Sequence, residues 1–202
     1  MKRILVPTDF SEHAEDALKV AAQIAKKNNS EIIVLHMLEL PSQMNDAILG
    51  GASIPETMLF MKKANEMLDE ISSRPYLDGI PVTEIVKMDK PIHGISQVSK
   101  DYNADLIVMG SHGSSGIEEL LIGSNTEKVV RTSEIPVLVI KKDIANFNAS
   151  NIVFASDFSN SINADIIGMC THGRTGFAHF FNGSISEGLV NHAVKPVITF
   201  KI

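Results

Sequence analysis

Short apolar runs with little polar alternation recur through the first 140 residues, each followed by a segment whose apolar positions fall at helical spacing. A strand that is apolar at nearly every position has both faces covered, and that restricts the fold more than any other feature. Residues 3–8, Arg-Ile-Leu-Val-Pro-Thr, 32–37, 106–109 and 136–140 are such runs, and 82–88 is a further strand with partial alternation. Ser11 caps a helix carrying Ala14, Ala17, Leu18, Ala21 and Ala25, which Asn28 and Asn29 close. A second helix is predicted from about Pro55 to Ser73 with Leu59, Ala64, Met67, Leu68 and Ile71 inward, and a third from Pro91 to Tyr102 through Ile92, Ile95 and Val98. Ser124 and Glu127 read as a capping-box pair opening a fourth helix to about Thr132, and residues 41–54 read as a mobile loop. Strands alternating with helices predict an α/β fold, a parallel sheet with helices on both faces and right-handed connections. In such sheets ligands bind beyond the carboxyl ends of the strands where the winding reverses. Asp9, Met37 and Gly110 all stand at such ends.

The segment from Met109 to Asn125 has the spacing G-x2-G-x9-G-S, built from Gly110, Gly113, Gly123 and Ser124. Strand, glycine-rich loop and helix N-terminus together suit a phosphate-bearing ligand. Glycines let the backbone approach an anion, and a helix start offers unpaired N–H groups. One glycine alone is explained by a tight turn; three at this spacing, with Asp9 on the same rim, weigh toward a ligand site. The segment lacks the Gly-Lys-Ser/Thr of a P-loop, the paired glycines of a dinucleotide fingerprint and the Gly-x-Ser-x-Gly of a hydrolase elbow. Two readings stay open for His112, a phosphate contact or a hydrogen-bond partner that fixes the loop. Asp9 either helps hold a divalent cation or, more simply, bonds a hydroxyl. His36 reads as a satisfied core histidine. No partnered nucleophile and base and no metal-ligand cluster is visible, so at most weak hydrolysis is expected.

A net charge of −6 and a pI near 5.6, with Lys and Arg scattered, argue against nucleic-acid binding. The N-terminal apolar run is interrupted at Pro7 and Asp9, giving neither a secretory h-region nor a membrane span, so a cytoplasmic location is expected. Cys170 is the single cysteine, which excludes an internal disulfide; it reads as a small buried apolar residue.

The opening ILVPTDFSEHA, the VLHM strand, the MGSHG loop, the GSNTEKV helix start and the closing PVLVIKK resemble the universal stress protein family over residues 1–142. That resemblance implies an open five-stranded sheet of order 3-2-1-4-5, adenine nucleotide alpha hydrolase-like. It also implies ATP as ligand, with or without Mg²⁺ or Mn²⁺, because the family's ATP-binding members carry the G-x2-G-x9-G-(S/T) spacing. Carried over by position, Pro7, Thr8 and Asp9 line the adenosine side and Met37 meets the adenine through its backbone. Met109, Gly110, His112 and Gly113 belong to the loop under the ribose and phosphates. Gly123, Ser124 and Asn125 hold the phosphates. The implied function is a nucleotide-dependent regulator or sensor of stress. The alternatives are a non-nucleotide dimerisation scaffold or a slow ATPase. Family dimers pair through their fifth strands, which implies a homo-oligomer or an internal pseudo-dimer.

The chain then repeats itself incompletely. Residues 151–159, NIVFASDFS, echo the opening, Ala164-Asp-Ile-Ile echoes Ala104-Asp-Leu-Ile, and Thr171-His-Gly173 through Gly183-Ser184 keeps the nine-residue gap with Cys170 at the Gly110 position. Between matching Asp and Ala lie 94 residues in the first copy (10–103) and six in the second (158–163). The expectation is a complete domain over 1–142, a linker over 143–150 and, over 151–202, a truncated repeat retaining strands one, four and five. Three origins stay open: a segment missing from the sequence, a genuine internal deletion, or a remnant completed by docking on another sheet. A Cβ at position 170 costs about 1–2 kcal/mol if the backbone there is left-handed, so one nucleotide per chain is expected, in the first half.

Overall fold

The computed structural model describes residues 1–39, 54–112, 122–154, 164–171 and 193–201. Its first half runs β1 (Arg3–Thr8), α1 (Glu12–Asn28), β2 (Glu31–Leu38), α2 (Ile54–Ser72), a 3-10 turn at Pro75–Leu77, β3 (Val82–Met88), α3 (Pro91–Asp101), β4 (Leu106–Gly110), α4 (Ser124–Thr132) and β5 (Val137–Ile140). The second half contributes β6 (Ile152–Phe154), β7 (Ile166–Thr171) and β8 (Val197–Lys201). All eight strands form one sheet of order β3-β2-β1-β4-β5-β8-β7-β6. Its first five members are mutually parallel in the expected 3-2-1-4-5 order. The loop expected at 41–54 falls, up to residue 53, outside the described residues. Among the described residues no helix is long and apolar enough to cross a membrane.

Both faces of the central strands are covered, as their unbroken apolar runs require. Ile4, Val6, Ile32 and Val34 face α1 and α2 through Ala17, Leu18, Ala21 and Leu68. Leu5, Ile33, Leu35 and Ile107 face α3 and α4 through Ile95, Val98, Val129 and Val130. Helix α1 starts where Ser11 accepts the Ala14 N–H and ends at Asn29, left-handed at φ 51°, whose N–H returns to the Ala25 carbonyl. One expected core position is wrong: Leu59 is 65% exposed. The inward stripe of α2 runs through Thr57, Ala64 and Leu68, and Leu59, two residues from Thr57, is carried about 200° round the helix to the other side.

The duplication survives in the backbone. Asp105 N–H donates to the Arg3 carbonyl and Ile107 N–H to Pro136; the second copy repeats both, Asp165 to Asn151 and Ile167 to Pro196. The Asp105 carboxylate accepts the N–H groups of Lys2 and Arg3, and Asp165 accepts that of Asn151. The two copies meet strand five to strand five: β8 pairs antiparallel with β5 in the register Val137↔Thr199 and Val139↔Val197. The remnant thus extends the first sheet, ending in the three-residue edge strand β6. Residues 143–150 are tied to α1 by Gln23, whose amide donates to the Ile144 carbonyl at 3.0 Å and accepts from Phe147 N–H at 2.7 Å.

The backbone bonds from Lys2 and Arg3 hold the Asp105 carboxyl below the usual aspartate range. A depressed folded value means that the stabilisation is complete above the unfolded pKa of about 3.9 and is lost as pH falls through the folded value. Asp105→Asn is expected to lower stability at pH 7 by about 0.5–1 kcal/mol, a small effect because the group is mostly exposed. Urea titrations of both proteins at falling pH should show that difference closing in the acid range.

Candidate functional site

Two strand-to-helix turns, β1 to α1 and β4 to α4, leave the sheet side by side because β1 and β4 are neighbours. In the first, Asp9 Oδ1 accepts from both the N–H (3.1 Å) and the hydroxyl (2.6 Å) of Ser11, whose oxygen accepts in turn from Ala14 N–H. Between them Phe10 is forced to φ 65°, a conformation non-glycine residues rarely take, and its N–H donates to Thr8 Oγ1 at 3.0 Å. The Phe10 ring lies 4.3 Å from the His36 ring, while His36 Nδ1 is 2.9 Å from the Thr8 carbonyl oxygen. His36 is therefore the bonded histidine expected, and it braces this turn.

In the second turn, Gly110 is needed for a reason other than positive φ. It lies in β4 outside the left-handed region, and a Cβ there would come within 2.6 Å of the His13 carbonyl oxygen in the first turn of α1. The left-handed requirement considered for this position does not exist; close helix-to-strand approach takes its place. The Gly110 carbonyl accepts from the buried Thr126 hydroxyl at 2.9 Å, fixing α4 above the end of β4. Ser111, fully buried, donates its N–H to Ile140 and accepts the N–H of Gly123 at 2.7 Å. That bond joins the two ends of the glycine loop. Ser111 escaped the sequence reading, since nothing distinguishes a loop-closing serine from its neighbours in the motif. Gly113 lies outside the described residues.

The capping-box expectation is corrected here. The N-cap of α4 is Gly123, at φ −60° and ψ 144°, so Ser124 is already the first helical residue and the N-cap position has no side chain to offer. Glu127 instead faces Arg131 at 3.4 Å. The first amides of a helix have no acceptor within it, which makes a helix start such as that of α4 a place where an anion can be held.

These turns enclose a cleft of about 260 Å³. The structure brings Pro7, Thr8, Asp9, Met37, Met109, Gly110, His112, Gly123, Ser124 and Asn125 to its wall. It adds Leu35, Glu39, Pro91 and Ile95, which come from the end of β2 and the start of α3. The signal for these was only that β2 and α3 end and begin on the same rim. The cleft has two unlike ends: Leu35, Met37, Pro91 and Ile95 are apolar, whereas Gly123, Ser124 and Asn125 present helix-start backbone. Its charged side chains among the described residues are the carboxylates Asp9 and Glu39, without lysine or arginine. His112 Nδ1 meets Ser111 Oγ at 2.9 Å, its ring lies 5.5 Å from that of His13, and its buried Nε2 has no partner among the described residues. No cluster of three or more potential metal ligands forms among the described residues.

A family model described as the universal stress protein family matches residues 1–141 and 155–201. Universal stress protein MJ0577 of Methanocaldococcus jannaschii is 32% identical over 154 residues, covering 70% of this chain and 95% of that protein. A solved structure of hypothetical protein MJ0577 superimposes with a TM-score of 0.60 at 33% identity, over 69% of this chain and 94% of the other. A universal stress protein from Archaeoglobus fulgidus is alike in fold over 98% of both chains, with a TM-score of 0.72 at 22% identity.

Gly110→Ala should push the first turn of α1 away from β4, because the obstructing atoms are His13 backbone and not a side-chain tip. A loss of about 1–3 kcal/mol is expected in equilibrium urea unfolding.

Proposed function

We propose, from the premise that the chain belongs to the universal stress protein family, that its first half binds one ATP in the cleft between β1 and β4. In this reading the protein is a cytoplasmic, nucleotide-dependent regulator or sensor of stress, not a dedicated catalyst. Residues 1–142 form the complete domain, 143–150 join the halves, and 151–202 are a truncated repeat.

The observation that carries the reading is the start of α4, with glycine at its N-cap, at one end of a cleft whose other end is apolar. A phosphate tail accepts hydrogen bonds from first-turn amides and lies at the positive end of the helix dipole, an interaction worth about 0.3–1 kcal/mol per favourable contact. A purine face suits Leu35, Met37, Pro91 and Ile95, with the ribose along Pro7 to Asp9. Without lysine or arginine among the described lining residues, an accompanying Mg²⁺ or Mn²⁺ relieves the repulsion between phosphates and the carboxylates of Asp9 and Glu39. His112 Nε2, unpartnered among the described residues, supplies a further polar contact.

One site per chain follows from what the second half lacks. The apolar end of the cleft comes from β2 and α3, and only residues 155–165 separate β6 from β7, too few for any counterpart. The scaffold reading expects the fifth strands to pair with each other or with another chain; β5 pairs with β8 within this chain, which together with β4 leaves β5 no free edge for a second chain.

Ser124→Glu tests the reading with little risk to the fold, because acidic residues favour the first helical turn. Isothermal titration calorimetry should find one ATP per wild-type chain and affinity at least about tenfold weaker in the variant, with thermal stability unchanged or raised. Equal affinity in the two proteins, or no ATP binding by the wild type, rejects the site.

A further inference from the structure

The geometry points to Gly94 as the residue that sets the depth of the apolar end of the cleft, acting through the side chain of Met37; the inference rests on the nucleotide reading above. Gly94 is a buried residue of α3, one turn in from Pro91, and its N–H donates to the Lys90 carbonyl at 2.9 Å. Glycine is a poor helix former, second only to proline, so its presence inside an eleven-residue helix calls for a packing reason. Met37 provides one. A Cβ built at Gly94 would overlap both the sulfur and the terminal methyl of Met37. The end of the Met37 side chain therefore occupies the notch left by the absent Cβ.

Met37 is the last inward residue of β2 before the rim, and it lines the cleft. Its neighbours on that face, Leu35 and Ile95, are 0% and 3% exposed, so the Met37 side chain packs against a closed core on one side. Among the described residues, the open volume that Met37 borders is the cleft. With any side chain larger than hydrogen at position 94, the sulfur and methyl swing into that volume. The seat for a planar base is then filled, while the phosphate end at Gly123–Asn125, formed by a different helix, is untouched. Gly94 is thus a positioning residue: it touches no ligand and decides whether the base end is open.

The test compares wild type, Gly94→Ala, Met37→Val and the double variant Gly94→Ala/Met37→Val, in which the shorter side chain at 37 lacks the colliding atoms. Two probes are titrated by calorimetry, ATP and inorganic tripolyphosphate, which has the tail without the base. Alanine is the best helix former, so the single variant should fold. Expected are ATP affinity about tenfold or more weaker in Gly94→Ala, tripolyphosphate affinity unchanged, and ATP affinity in the double variant recovered to that of Met37→Val alone, a non-additivity that contacting pairs show. The methyl resonance of Met37 in ¹³C-methionine-labelled protein should shift in Gly94→Ala. ATP binding equal to wild type in Gly94→Ala, a parallel loss of both probes, or no recovery in the double variant overturns the role of Gly94 and leaves the nucleotide site standing. A wild-type protein that binds neither probe overturns the nucleotide reading and this inference with it.

Discussion

The approach of the first turn of α1 to the end of β4 is the contact around which the first half is arranged. At Gly110 the chain passes so near the His13 carbonyl that no Cβ fits between them. Because β1 and β4 are neighbours while α1 and α4 leave to opposite faces, the sheet opens at this point and nowhere else along its first five strands. The short distance at Gly110 holds the two departing turns together. The Thr126 hydroxyl then locks α4 to the Gly110 carbonyl, and the Ser111–Gly123 bond closes the loop between them.

The second half shows the same constraint by its absence. Position 170 is cysteine where the first copy has glycine, and the residues between β6 and β7 cannot contain a counterpart of the 17-residue α1. Without a helix to approach, there is no need for a missing Cβ. Among the described residues the second copy keeps the aspartate that receives a backbone N–H at the start of its first strand, and a fifth strand that pairs with β5. Joining fifth strand to fifth strand reverses the direction of the second set of strands, so its carboxyl rim faces away from the cleft of the first. The strands of the second half extend the sheet of the first, and its edge among the described residues is the three-residue strand β6.

What the cleft offers a ligand is backbone and shape. Among the described residues its ionisable wall is acidic or imidazole, and its one strong electropositive element is the start of α4. An N–H array of this kind favours an anion of defined position over bulk anions, since the donors cannot follow a displaced ligand. The apolar end is equally fixed, framed by buried Leu35 and Ile95 with the more adaptable Met37 between β2 and α3. The turn holding Asp9 stores strain at Phe10, and the hydrogen bonds of Ser11, Thr8 and His36 maintain it.

The sequence by itself determined the order of elements, the parallel character of the first sheet and the rim on which Asp9, Met37 and Gly110 meet. Apolar runs and capping residues such as Ser11 and Asn29 act within a few neighbours, so their effect is readable locally. Position along the chain did not reveal which face of α2 turns inward at Leu59, nor that Gly123 and not Ser124 caps α4, because both depend on where the helix is seated by distant strands. The same holds for the two glycines whose reasons are spatial. Gly110 answers to His13 and Gly94 to Met37, partners 97 and 57 residues away (110 − 13; 94 − 37) that only the folded chain brings within van der Waals reach. A glycine records that something must come close; the tertiary structure alone decides what.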